Sequence, residues 1–357
     1  MTLHRSLILA LVAAARRGCG LLAGACGFLL AVSGTAQAAS VTLAQVRAND
    51  ALRCGIGEEL PGFAAKDATG RYRGFNVDFC RAVAAAVLGD PDKVSYTPVS
   101  AAGRFPLLLS GRIDLLSHRA TWTISREAGI GVRFPGVYFH DGQGLMVRAA
   151  GGASRLEDLK GAVICVEKGT THVANLEDTF RGRGLPYVPL VIAGLTDTTK
   201  AFLAARCQAY TSDRSALSAI RARVPGGAGR YRLLPETLSR EPLAPAVRRG
   251  DEEWESIVRW VLNALIAAED NGLTGAAIRR TLETSTTPAA KRLANDGKQV
   301  ARALGLAPDW YIRAVEAGGN YGEIFERNVG AASPLGLERG PNRLWRDGGL
   351  MYSPPFR

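Results

Sequence analysis

The succession of apolar runs and helical patterns predicts an α/β protein of two lobes, each a mainly parallel sheet flanked by helices. One observation is a strand–helix–strand–helix–strand order in residues 52–116 that returns in residues 162–211, the pattern of parallel sheets covered on both faces. A second is length: 357 residues exceed the roughly 100–200 that make one domain. The third is composition, with 47% hydrophobic and 22% charged residues, close to the globular mix of about 45–50% and about 25%. Wholesale disorder and collagen-like repetition are thereby excluded.

Along the chain, Leu52-Arg53-Cys54-Gly55-Ile56-Gly57 reads as a strand and Pro61-Gly62 as a turn. Phe75, Phe79, Val83 and Val87 recur every fourth residue, which predicts a helix stopped by Gly89 and Pro91. Val94 to Val99 is a β-rich run, Arg104 to Ser110 a helix ending at Gly111, and Ile113 to Leu116 an apolar strand. After Gly151-Gly152, Ala162 to Val166 reads as a strand that turns at Gly169-Thr170-Thr171 into a helix from about Val173 to Arg181. Val188 to Ile192, Thr196 to Arg206 and Cys207 to Thr211 follow as strand, helix and strand. Trp254, Ile257, Val258, Val261, Leu262 and Leu265 keep a helical period that Asn271-Gly272 ends. Beyond that point the chain is Gly- and Arg-rich and gives no clear element pattern.

The N-terminus reads as a secretory signal peptide over residues 1–38. Arg5, Arg16 and Arg17 precede an apolar run from Gly18 to Val32, and Ala36-Gln37-Ala38 supplies a small-x-small cleavage site. The run falls short of the roughly 20 residues that span a bilayer. Loss of the three arginines takes the formal charge from +11 to +8. The basic surplus is not clustered, and export removes the chain from nucleic acid as a partner. Export also places Cys54, Cys80, Cys165 and Cys207 in an oxidising compartment. Three pairings are possible; because the early and late pairs fall in different lobes, the expected bonds are Cys54–Cys80 and Cys165–Cys207. Four buried thiols are the alternative.

Ligands of open α/β sheets sit beyond the carboxyl ends of the strands, so the residues after each expected strand are the candidates. Ser117 to Arg126 offers hydroxyls and a guanidinium; Arg126 has the planar fork that suits a carboxylate and Thr121 adds a hydroxyl. Gly169-Thr170-Thr171 opens a helix whose positive end favours an anion, although a Thr in that place can equally be a helix cap. Asp213 can accept from an ammonium, or can cap the helix that follows. Together the groups are complementary to a zwitterion such as an α-amino acid. Gly55-Ile56-Gly57 lacks the third glycine of a dinucleotide fingerprint, and there is no phosphate-binding loop, His-Glu-x-x-His or Gly-x-Ser-x-Gly. No cysteine pair has the short spacing of a zinc ligand set. Neither a cofactor nor a metal is expected.

These residues resemble those of the periplasmic solute-binding proteins of family 3, in particular the general L-amino-acid-binding subgroup of polar amino-acid ABC importers. The likeness rests on Cys54-Gly55, Leu60-Pro61-Gly62-Phe63, Gly74-Phe75-Asn76-Val77-Asp78-Phe79-Cys80, Thr121-Trp122-Thr123 with Arg126, Gly169-Thr170-Thr171 and Tyr210-Thr211-Ser212-Asp213. Glu241-Pro242-Leu243, the tail Gly319-Asn320-Tyr321-Gly322-Glu323 and Ser353-Pro354-Pro355 complete it. The resemblance implies a Venus-flytrap fold with two crossover strands: residues 41–142 begin lobe 1, residues 143–240 form lobe 2, and residues 241–357 return to lobe 1 and add a C-terminal extension. It implies a monomer that carries an amino acid to a permease in the inner membrane. Arg126, Thr121 and the N–H of Thr171 would hold the α-carboxylate and Asp213 the α-ammonium, with Thr170 also at the ligand, Glu58, Glu59 and Leu60 near its side chain, and His172 lining the pocket.

The departures from that pattern matter equally. Where the subgroup shows Arg-Asn-Thr-Thr-Trp-Thr, this chain has His118-Arg119-Ala120-Thr121-Trp122-Thr123. The Asn position helps receive the ammonium, and a fixed cation at about 4 Å from an ammonium costs on the order of 4 kcal/mol at an effective dielectric near 20. Glu58 or Glu59 is therefore expected to pair with Arg119, narrowing the site or turning it toward a ligand with an extra acidic group. A second reading is a periplasmic enzyme on the same fold, resembling cyclohexadienyl dehydratases, with Glu58 or Glu59 as a protonated general acid. A ligand sensor for a receptor is a third.

Overall fold

In a computed structural model of the protein, residues 40–356 apart from Pro225 and Thr287 are described. The expected signal peptide and its cleavage site lie outside them. Two sheets organise the chain into two lobes.

Lobe 1 starts with helix α1 (Val41–Ala48), capped by the Ser40 hydroxyl. Strand β1 (Leu52–Gly57) follows, then a small hairpin of β2 (Ala65–Lys66) and β3 (Tyr72–Arg73). Helix α2 (Phe75–Leu88) is buried along most of its length and ends at Gly89, whose φ of 76° is the left-handed conformation that glycine adopts without cost. Strand β4 (Val94–Val99), helix α3 (Arg104–Leu109) and strand β5 (Leu115–Thr121) continue the alternation. A π-helical turn (Ser125–Ile130) leads to β6 (Val132–Arg133) and β7 (Phe139–Asp141). β1 lies between β4 and β5, parallel to both.

The chain then crosses at Gly142 into lobe 2: β8 (Gln143–Arg148), β9 (Val163–Glu167), helix α4 (His172–Gly182), β10 (Val188–Ile192), helix α5 (Leu195–Leu203), β11 (Ala209–Asp213), helices α6 (Arg214–Arg223) and α7 (Gly227–Arg230), and β12 (Tyr231–Leu233). Its sheet has the order β10-β9-β11-β8-β12. The return is β13 (Glu241–Arg248), which joins β5, β6 and β7 antiparallel. In each sheet all strands but one share a direction, in keeping with the mainly parallel sheets expected from the sequence: β13 runs against its neighbours in lobe 1 and β8 against its neighbours in lobe 2. The reversed strand is in each case the one that follows a crossing, because a chain arriving from the opposite lobe enters against the local strand direction. The two crossings run side by side, with Asp141 opposite Glu241.

Helix α8 (Glu252–Asp270) has the predicted period and is capped by Asp251. After it come α9 (Ile278–Thr284), α10 (Pro288–Ala303), α11 (Trp310–Glu316) and α12 (Tyr321–Asn328), where no elements were legible in the sequence. The tail is fastened to lobe 1. The Tyr321 hydroxyl donates to the Tyr138 carbonyl at 3.0 Å, and the Asn342 amide pairs with both backbone groups of His140 at 2.6 and 2.9 Å. Phe75 meets Tyr138, Phe139 and Tyr321 edge to face at 5.4–6.0 Å. The sulfurs of Cys54 and Cys80 lie 2.14 Å apart and those of Cys165 and Cys207 2.00 Å apart, one bond in each lobe as expected.

Candidate functional site

Strand β5 is longer than the apolar run that predicted it. His118, Arg119 and Thr121 lie on the strand rather than beyond it, and all seven of its residues are buried. Burying polar side chains requires partners, and here they come from both lobes. The Arg119 guanidinium donates to Asp213 Oδ2 at 3.3 Å, with 8% and 5% of the two side chains exposed. It also lies 5.5 Å from the centre of the Phe63 ring. Its backbone has a φ of 37°, a region that asparagine tolerates and arginine seldom enters. The Tyr138 hydroxyl accepts its N–H at 3.3 Å.

Arg126 is buried on the π-helical turn, not exposed at the surface. It donates to the Thr121 carbonyl at 2.7 Å, and burial lowers its pKa against the pull of Glu241 and Asp213. The Thr121 and Thr171 hydroxyls both donate to Glu241 Oε2, at 2.5 and 2.9 Å, and lie 3.4 Å from each other across the lobes. Asn175 and Ser239 satisfy Glu241 Oε1 at 2.7 and 2.5 Å.

Thr171 and Asp213 both occupy helix N-cap positions, and neither side chain caps its helix. Thr171 turns to Glu241. Asp213 turns to Arg119 and to His172 Nε2, at 3.0 Å. Burial alone would raise the Asp213 carboxyl, but His172 and Arg119 hold it below its ordinary value. Thr170 closes its own turn by donating to the Glu167 carbonyl at 2.8 Å. Gly169, at φ +84°, brings that turn against lobe 1: a Cβ there would stand 2.7 Å from Ala102 Cα.

Several members of the site were not foreseen. Arg104 is buried at the start of α3; its Nη1 lies 3.3 Å from His118 Nδ1, and its Nε has no partner among the described residues. His118 Nε2 lies 2.7 Å from the Val99 carbonyl, so the proton is assigned to that nitrogen and Nδ1 accepts from Arg104. Burial, with Arg104 and Arg119 beside it, pushes the His118 pKa down to about 3, and burial with the nearby Arg126 pulls Arg104 down to about 9. Glu167, raised by burial, accepts from the Ala101 N–H at 3.4 Å. Arg104 opened a plain apolar helix in the sequence and carried no signal; Glu241 stood within a recognised motif but had no role assigned.

One cavity is therefore lined by Arg104, Arg119, Thr121, Thr170, Thr171, His172 and Asp213, together with Glu167. The expected pairing of Glu58 or Glu59 with Arg119 is corrected. Glu58, partly buried, accepts from the Thr196 N–H at 3.1 Å, and Glu59 pairs with Arg223 at 3.1 Å, with both side chains of that pair more than half exposed. Both follow β1 at the mouth of the cleft, where they reach α5 and α6 rather than the interior. His172, Asp213 and Glu241 place one ligand atom each within 4.8 Å of one another. Arg119 already supplies Asp213 with a positive charge, which disfavours a metal cation there. No described helix is long and apolar enough to cross a membrane.

Two lobes closing on a buried set of cations and carboxylates define a solute-binding clamp. The chain belongs to the bacterial extracellular solute-binding proteins, family 3, whose family model matches residues 52–272. It is 44% identical over 339 residues to the general L-amino acid-binding periplasmic protein AapJ of Rhizobium johnstonii, covering 94% of this chain and 99% of that one. It is 45% identical over 326 residues to the glutamate/glutamine/aspartate/asparagine-binding protein BztA of Rhodobacter capsulatus, covering 91% and 96%. Among solved structures, it resembles an ABC transporter periplasmic binding protein from Brucella ovis with glutathione bound, at 42% identity and a TM-score of 0.85, covering 88% and 99%.

Proposed function

We propose that this chain is the binding component of an amino-acid ABC importer, closing on a free amino acid and delivering it to a permease in the inner membrane. The observation that carries this reading is that Thr121, Thr171 and Asp213 line one buried cavity between the lobes, with Arg126 held beside it on the Thr121 carbonyl. Arg126, and the Thr121 and Thr171 hydroxyls on turning from Glu241, provide donors for an α-carboxylate, and Asp213 an acceptor for an α-ammonium. His172 holds the Asp213 carboxylate in place. In this reading the chain is exported by a signal peptide over residues 1–38 and works as a periplasmic monomer. Its lobes divide at residues 142 and 240.

Enzymatic dehydration is disfavoured by the position of its required acid. Glu58 and Glu59 lie at the cleft mouth, where a backbone N–H and Arg223 hold them, and a general acid must reach the reacting group. The test is calorimetric titration of the exported, processed chain with the twenty amino acids. Binding of at least one of them at micromolar affinity or tighter is expected, weakened at least 100-fold by Arg126→Ala. Failure of all twenty to bind would reject the reading.

A further inference from the structure

Arg119 and Arg104 are buried guanidiniums with donors to spare. Arg119 makes one side-chain hydrogen bond among the described residues, to Asp213. Arg104 is tied at 3.3 Å to His118 and at 3.5 Å to the Gly169 carbonyl, while its Nε is unpartnered. Guanidinium offers five donors, and leaving them without acceptors away from water is costly. Glu167 lines the same cavity but forms no ion pair with either arginine among the described residues; its carboxylate meets the Ala101 N–H. Neighbouring charge reinforces the point. Arg104 and His118 are both pulled below their ordinary pKa values by burial and by surrounding cations, as expected where an anion is missing.

Asp213, the acceptor for an α-ammonium, already carries Arg119 on one oxygen and His172 on the other. A carboxylate has about four lone-pair sites, so an ammonium can share it, but it then stands beside a fixed guanidinium. A neutral amino acid meets that repulsion with nothing to offset it. A ligand with a second carboxylate offsets it, because the added charge lies among the unspent donors of Arg104 and Arg119. We propose that Arg119 is a specificity-determining residue, selecting amino acids that carry a second acidic group, which it receives together with Arg104. The inference rests on the amino-acid-carrier reading.

Glutamate and glutamine differ at the distal group by charge and scarcely by shape, so their affinity ratio reads this selection directly. Calorimetry of the processed chain is expected to give glutamate at least tenfold tighter than glutamine. In Arg119→Asn, whose side chain tolerates the backbone angle of that position, the ratio is expected to fall at least tenfold while glutamine binds more tightly. Arg119→Gly, which accepts the same backbone, should behave alike and guards against a folding defect in the first variant. Equal binding of the two ligands by the native chain, or an unchanged ratio in both variants, overturns the inference and leaves the carrier reading standing. Absence of amino-acid binding by the native chain and both variants overturns the two together.

Discussion

His118 stands where the subgroup has arginine, and its ring links two elements by donating to Val99 and accepting from Arg104. This arrangement works only with a neutral ring, so it makes stability depend on pH. The native pKa of about 3 lies well below the value of about 6.5 expected in the unfolded chain. Above about pH 6.5 the contribution is fully present; as pH falls toward 3, the unfolded chain takes up the proton first and stability is lost. The slope reaches about 1.4 kcal/mol per pH unit. Urea denaturation of native protein and His118→Gln across pH 3 to 7 should show a difference that shrinks as pH falls, since glutamine can donate and accept in the same places without titrating. A pH-independent difference would contradict the assignment. Little of this was legible beforehand: a histidine reads the same in sequence whether it is charged or neutral. Thr171 and Asp213 show the same limit, since their residue types suit a cap as well as a ligand contact, and only their partners Glu241, Arg119 and His172 distinguish the two.

Elements were legible where hydrophobic period decides them, and misread where buried polar residues extend them. β1, β4 and β10 match the sequence expectation, and α2 and α8 follow the helices that it outlined. β5 runs through Thr121 and β11 through Asp213, because neighbouring strands and cross-lobe partners satisfy polar side chains that an apolar-run criterion excludes. The late helices stayed hidden because their cores are assembled from distant parts: Phe356 stacks on Trp310 at 6.2 Å and meets Trp260 at 5.1 Å. Even so, Asn320 and Glu323 form a capping box at the start of α12, a spacing that sequence can signal. The β9–α4 turn carries a sharper test. A methyl at Gly169 would meet the Ala101–Ala102 backbone of the opposite lobe and sit at an unfavourable φ. Gly169→Ala is expected to weaken ligand binding at least tenfold by hindering closure. Small-angle scattering with saturating ligand should record a larger radius for the variant; native affinity and radius would show that the contact is dispensable.

Across the whole molecule, closure gathers several weak cross-lobe contacts and one buried charge pair into a single event. Glu58 with Thr196, Glu59 with Arg223 and Ala101 with Glu167 ring the central Arg119–Asp213 pair. The exposed Glu59–Arg223 pair contributes little, roughly 0–1 kcal/mol, so the interior groups carry selectivity. The tail braces lobe 1 beside the crossing through Asn342 and His140. The proposed cleft recognises a carboxylate and an ammonium together. Calorimetric comparison of L-glutamate with 2-oxoglutarate tests it most directly, because the two share both carboxylates and differ in the ammonium. Glutamate should bind at least 100-fold more tightly, and Asp213→Asn should remove most of that advantage. Equal or tighter binding of 2-oxoglutarate would contradict the account, and would mean that Arg119 has taken the place of the ligand's ammonium.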